Sequence, residues 1–197
     1  MSARVAAQDP PPRIGPLVVD ARGTVPLFKK DAAIGLSRGL DVSQLPGAGF
    51  GGDVGLHLYL FTWKAITLGI GGQLTFARSH EAPPAVRQLA PVTERFKTIG
   101  PQLSLNFGTG DGWSYLSAGA GPSWWSIVPD DGVEQVVDRD RLREVNFGGG
   151  ARWFAKPHLA FTFDVRFHQI DPGFAHGFRP GTPRTKFLIL GAGVSVK

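Results

Sequence analysis

Alternate residues of "VNFGGGARWFAKPHLAFTFDVRF" (145–167) separate into two chemistries. Val145, Phe147, Gly149, Ala151, Trp153 and then Leu159, Phe161, Phe163, Val165, Phe167 form one row. Asn146, Gly148, Gly150, Arg152 and then Ala160, Thr162, Asp164, Arg166 form the other. Successive side chains of a strand point to opposite faces, so the pattern predicts a hairpin with one apolar face. Its turn falls at Ala155-Lys156-Pro157-His158. The other face is glycine-rich and charged.

The same period of two recurs along the chain and predicts eight strands. They are 17–25, 50–61, 65–77, 93–107 (alternating cleanly from Thr98), 113–125, 143–154, 159–170 and 186–197. No segment of useful length has helical periodicity. Short turns alternate strictly with long polar connections at 26–49, 78–92, 126–142 and 171–185. One end of the molecule is therefore trimmed and the other elaborated. Up-and-down transmembrane β-barrels are built in this way, from strands of about 9–11 residues tilted across the hydrocarbon.

Alternation alone also fits a soluble lipocalin-like barrel with its apolar side chains inside. The make-up of the polar face separates the two. It carries Asp20, Arg22, Asp53, His57, Gln73, Gln102, Asn106, Glu144, Asn146, Arg152, Asp164, Arg166 and His168, interspersed with Gly51, Gly55, Gly69, Gly71, Gly100, Gly119, Gly121, Gly148, Gly150, Gly191 and Gly193. A face toward water would be rich in Lys and Glu, and exposed glycine only weakens a strand. A narrow eight-stranded lumen accommodates interlocked polar groups where their neighbours are small. The polar face is predicted to line the lumen, and the Phe, Leu, Val and Trp face to meet lipid.

Aromatics fit two interfacial belts: Phe61, Trp63, Phe107, Trp113, Trp153 and Phe154 beside the short turns, and Phe96, Trp124, Trp125, Phe167 and Phe187 toward the long loops.

Composition adds three constraints. The chain has no cysteine, which excludes disulfides and thiolate chemistry. Only 19% of its residues are charged, against roughly a quarter in ordinary soluble domains. The formal net charge is +5, but the cations do not form a stripe with interleaved aromatics, so no nucleic-acid partner is expected. A basic loop surface facing anionic headgroups or sugars accounts for the charge more simply. Val5-Ala6-Ala7 before Gln8 has the small residues of a signal-peptidase site. Residues 1–13 are accordingly expected to be a disordered N-terminus with the tail of an export signal and a Pro-rich start, and 14–197 the barrel domain.

Candidate chemistry is sparse. There is no G-x-S-x-G, and His168 has no serine two residues away, so no catalytic site is expected. His168, Asp171, His176 and the pair His80-Glu81 lack metal-ligand spacing, and "GAGFGG" (47–52) is followed by no Lys-Ser/Thr. Neither a metal nor a cofactor is expected. What remains is a lumen charge network of Asp20, Arg22, Asp53, Glu144, Arg152, Asp164 and Arg166. Buried charges must pair or keep water. The network reads as a structural plug, with a gate or ion path as the alternative.

With these features the chain resembles the small outer-membrane barrels of the OmpA, OmpX and opacity-protein type, over about 14–197. "FGGGARWFAKPHLAFTFDVRF" is similar to that family's penultimate hairpin, and "YLSAGAG" and "LGAGVSV" are also family-like. The chain departs from the family's usual terminal aromatic with Val196-Lys197. The resemblance implies an all-β, eight-stranded antiparallel barrel in the bacterial outer membrane, with periplasmic termini and external loops. It implies outer-membrane lipid, lipopolysaccharide and the barrel-assembly machinery as partners. The function expected is a non-enzymatic role in envelope integrity or surface interaction. The alternatives are a small-solute channel, a ligand-binding barrel and a lipid A-modifying acyl hydrolase.

Overall fold

The computed structural model describes residues 14–108 and 112–197. The expectations for the N-terminal 1–13, and the middle of the turn at 108–112, lie outside the described residues. Eight strands follow in order: β1 (Leu17–Leu27), β2 (Phe50–Trp63), β3 (Ile66–Glu81), β4 (Val92–Phe107), β5 (Gly112–Pro129), β6 (Arg141–Lys156), β7 (Leu159–Ile170) and β8 (Thr185–Val196). Each pairs antiparallel with its neighbours in sequence, and β8 closes on β1 through Val19↔Val196 to Leu27↔Leu188. Closure leaves no sheet edge, which a sheet surrounded by hydrocarbon requires.

Strands run from 11 to 18 residues, and the longer ones exceed the span a bilayer needs and continue past it on the long-loop side. The ends of the short hairpins are tight: β2 turns into β3 at Lys64-Ala65, with Lys64 at φ 54°, and β6 into β7 at Pro157-His158.

Which face looks where follows from accessibility. The polar row is buried along every strand, and Leu56, Leu58, Leu68, Ile70, Leu103, Leu116, Phe147, Phe161 and Phe163 stand out from the barrel exposed. In water so large a continuous apolar surface is an aggregation hazard. Against acyl chains it costs nothing. The barrel is therefore inside-out relative to a soluble one and is transmembrane.

Two expectations are corrected. Phe96, Trp125, Phe187 and Trp113 do not join the lipid belts: all four are buried inside the barrel. Phe96, Trp125 and Phe187 pack with Phe28, Ile34, Leu45, Ile127, Leu142, Ile170 and Ile189 into an apolar plug at the long-loop end. Trp113 packs with Ile14, Val18 and Tyr59 at the short-turn end, with Phe154 half-buried against them. The belts keep Phe61, Trp63 and Trp153 at one end and Trp124 and Phe167 at the other.

The first long connection also contains a helix, α1 (Ala32–Arg38). The Asp31 carboxylate caps its start by accepting from the Ala33 amide, and Gly39 ends it in the left-handed region at φ 67°. Ile34 enters the plug and Arg38 turns inward beside it.

Candidate functional site: the closed lumen

Charged side chains from four strands, β1, β2, β6 and β7, meet between the two apolar plugs, because alternation sends every second residue inward at matching heights. In the lower tier Arg152 of β6 crosses to Asp20 of β1. Its Nη2 and Nε donate to the two carboxylate oxygens at 2.7 and 3.1 Å. Its Nη1 donates to Asn106 Oδ1 at 3.1 Å and to the Tyr59 hydroxyl at 3.3 Å, and its guanidinium lies 4.2 Å from the centre of the Tyr115 ring. Ser195 donates to Asp20, and His57 Nε2 stands 3.4 Å from the same carboxylate.

The middle tier turns on Asp164. Arg166 donates to it through Nε and Nη2, each at 3.2 Å, and the Tyr115 hydroxyl donates at 2.7 Å. Arg22 bridges the tiers: Nε donates to Asp53 at 2.9 Å and Nη1 to the Tyr115 oxygen at 2.6 Å, with Asp20 and Asp164 at 3.8 and 3.7 Å. The remaining Arg166 donors go to Ser117 at 2.6 Å and Asn146 at 2.8 Å. Charge-assisted bonds of this kind are the stronger ones, and a guanidinium can spread its donors over several acceptors at once.

Glycines make the room. A Cβ at Gly69 would lie 2.6 Å from the Tyr59 ring, and one at Gly150 would lie 2.8 Å from the Tyr115 hydroxyl. Both tyrosines that complete the network depend on a bare backbone opposite them.

Glu144 is not joined to the arginines. It sits higher in the barrel, where His168 Nδ1 is 2.7 Å from Oε1, and Asn146 and Thr98 donate to Oε2 at 3.3 and 3.2 Å. The structure thus brings Asp20, Arg22, Asp53, Arg152, Asp164 and Arg166 into one cluster and places Glu144 in an adjoining one, linked through Asn146.

Above the apolar plug a third polar cluster ties the long connections together. Arg38 is buried and donates from Nε to Asp138 at 2.9 Å and from Nη1 to Thr182 at 3.0 Å. Its guanidinium lies 5.4 Å from the centre of the Trp125 ring, whose Nε1 donates to the buried Glu94 at 2.7 Å. Its carbonyl accepts from Gln135 and Arg179. Residues from the first, third and fourth connections therefore meet on one arginine and roof the barrel.

The chain superposes on solved small outer-membrane barrels that are distant from it in sequence. Neisserial surface protein A superposes with a TM-score of 0.62 at 16% identity, over 93% of this chain and 97% of its own. Ail, the attachment invasion locus protein of Yersinia pestis, gives 0.52 at 13%, over 91% and 97%. The outer membrane enzyme PagL gives 0.50 at 10%, over 90% and 99%. The fold is that of the small outer-membrane barrels. No protein-family model matches the chain, and no curated protein does.

Within this outer-membrane barrel fold the inner face was readable by alternation, whereas Tyr59, Tyr115, Asn106, Ser117 and Ser195 gave no charge signal as partners. Arg38 and Asp138 were missed altogether, since both lie in connections. Among the described residues no cluster of His, Asp and Glu could hold a metal ion.

Proposed function

We propose that this chain is an integral protein of the bacterial outer membrane, its short turns periplasmic and its long connections external. The lumen is closed, and the protein acts without catalysis, in envelope integrity or through contacts made by its external roof. The observation that carries this reading is the filled interior. Two apolar plugs enclose a charge network in which each arginine is held by several acceptors, and a solute path would have to dismantle all three layers.

The arrangement of hydroxyls and imidazoles supports the non-enzymatic part. Ser195 donates to Asp20, and His57 approaches the same carboxylate from another side. His168 is held by Glu144 and packed between the Phe96 and Phe187 rings. Neither pairing sets a serine on a histidine, which acyl transfer through an activated hydroxyl requires.

Fractionation of the tagged full-length gene product tests the reading. The protein is expected in the outer-membrane fraction, released only by detergent, with folded and boiled samples migrating differently on a denaturing gel. Recovery in the soluble fraction with identical migration would contradict it.

A further inference from the structure

The outer wall of the barrel is asymmetric just above the apolar band. On β3 to β6 the outward residues at this height are Arg78, Arg95, Lys97, Trp124, Arg141 and Arg143, all exposed. The register makes them neighbours: Arg78 stands opposite Arg95, Lys97 opposite Trp124, and Trp124 opposite Arg141. Strands are about 4.8 Å apart, so Lys97 and Arg141 flank the indole across about 10 Å. Lys97 Nζ lies 5.9 Å from the centre of that ring. On the opposite wall the outward positions Val25, Leu27, Phe50 and Phe167 are apolar, and Lys186 is the cation there.

These cations are not neutralised from within the chain. Carboxylates in and beside the long connections pair with other cations: Glu81 with Lys30, Asp41 with Arg87, Glu134 with Arg139 and Asp171 with Arg184. Among the described residues the five cations have no acidic partner. Two arginines directly opposed on a sheet repel, unless an anion lies between them.

Below the cations the wall carries shallow depressions. A groove of about 390 Å³ runs between Ala120, Pro122, Arg141 and Arg143. It meets, at Ala120, a second groove of about 650 Å³ whose floor is Gly72, Pro101 and Ala118 and whose sides are Leu56, Leu58, Ile70 and Leu103. A third, of about 640 Å³, continues from Ala118 and Leu103 to Gly149 and Phe167. The two larger depressions are lined mainly by apolar side chains and are open to the outside of the barrel.

We infer that this wall is a binding site for a multiply acylated lipid with a phosphorylated headgroup. The phosphates sit among Arg95, Lys97, Arg141 and Arg143, and the acyl chains lie in the grooves floored by Gly72, Pro101, Ala118 and Ala120. The guanidinium fork matches phosphate oxygens, and the indole at the same height marks the interface between headgroup and chain. The proposal rests on the outer-membrane reading, where lipopolysaccharide is the lipid of this chemistry.

Native mass spectrometry of the folded full chain tests it, with detergent micelles doped in turn with the phosphorylated lipid anchor of lipopolysaccharide, with phosphatidylcholine and with inorganic phosphate. Wild type is expected to retain one anchor molecule in preference to phosphatidylcholine, and millimolar phosphate should not displace it. Combining Arg95→Gln, Lys97→Gln, Arg141→Gln and Arg143→Gln should weaken retention at least tenfold. Ala120→Phe, which fills the groove without touching a charge, should weaken it severalfold. Both variants should keep heat-modifiable migration, since all five positions face outward. Retention unchanged in the charge variant would overturn the site, as would displacement by free phosphate. Wild type with heat-modifiable migration but no retained anchor would overturn the site alone, whereas loss of that migration in wild type would remove the barrel reading beneath it.

Discussion

Arg152 ties several strands of the lumen together: Asp20, Asn106, Tyr59 and Ser195 all accept from it. A buried pair is weak evidence for net stability, but breaking one leaves an uncompensated charge. Arg152→Ala is therefore expected to cost about 3–5 kcal/mol in urea unfolding from lipid vesicles. Arg152→Lys should recover only part of this, because an ammonium cannot hold both carboxylate oxygens in the fork geometry. An alanine variant as stable as its parent would mean that water already screens Asp20. The residues of this network were legible in the sequence as a set, since alternation placed Asp20, Arg22, Asp53, Arg152, Asp164 and Arg166 on one face. Their pairing was not. Which acid meets which arginine depends on the stagger of strands around the barrel, and Arg152 and Asp20 are far apart in the chain. Glu144 shows the limit: it shares the face, yet its height puts it against His168.

At the scale of single elements, alternation located every strand to within a few residues, and the aromatic belts were the misleading signal. Phe96 has the same parity as Thr98 and Gln102, so the period of two already pointed it inward. Its size suggested the interface instead. Trp113, Trp125 and Phe187 went astray for the same reason, because a lumen can be filled by apolar plugs as well as by charges. Fluorescence of single-tryptophan variants distinguishes the two placements. Trp153, 57% exposed on the outer face, should be quenched by a quencher carried on acyl chains, and Trp125, 2% exposed, should be shielded from it. Equal quenching would contradict the assignment of faces. The helix α1 escaped periodicity because "AAIGLSR" is too short to show it. Its ends were nonetheless written in the chain as Asp31 and Gly39, an N-cap and a left-handed terminator. Arg38 at its last turn holds the roof together, so Arg38→Ala should expose 28–49 and 130–140 to protease while the strands remain protected. A roof as resistant as in the parent would show that the apolar contacts of Ile34 and Leu45 suffice.

For the whole molecule the arrangement is a layered stopper: apolar floor, charge network, apolar plug and an arginine-tied roof, all inside a wall that presents hydrocarbon to lipid. The two surfaces respond differently to change. Phe163→Arg, on the outer wall opposite Ala151 and Ala192, should cost about 2–4 kcal/mol, the range for a basic residue near the bilayer midplane. Inserting residues at Asp130-Asp131-Gly132, in an exposed connection, should cost little. Unfolding of both variants from vesicles compares them, and equal damage would count against the topology. The central claim is that the lumen is closed, and single-channel recording of the purified barrel in a planar bilayer tests it most directly. The layered interior predicts no steady open state in wild type, only rare small events, with conductance rising when Arg152 or Arg166 is truncated to Ala. Large, stable wild-type currents would contradict the closed lumen and make the charge network the lining of a pore.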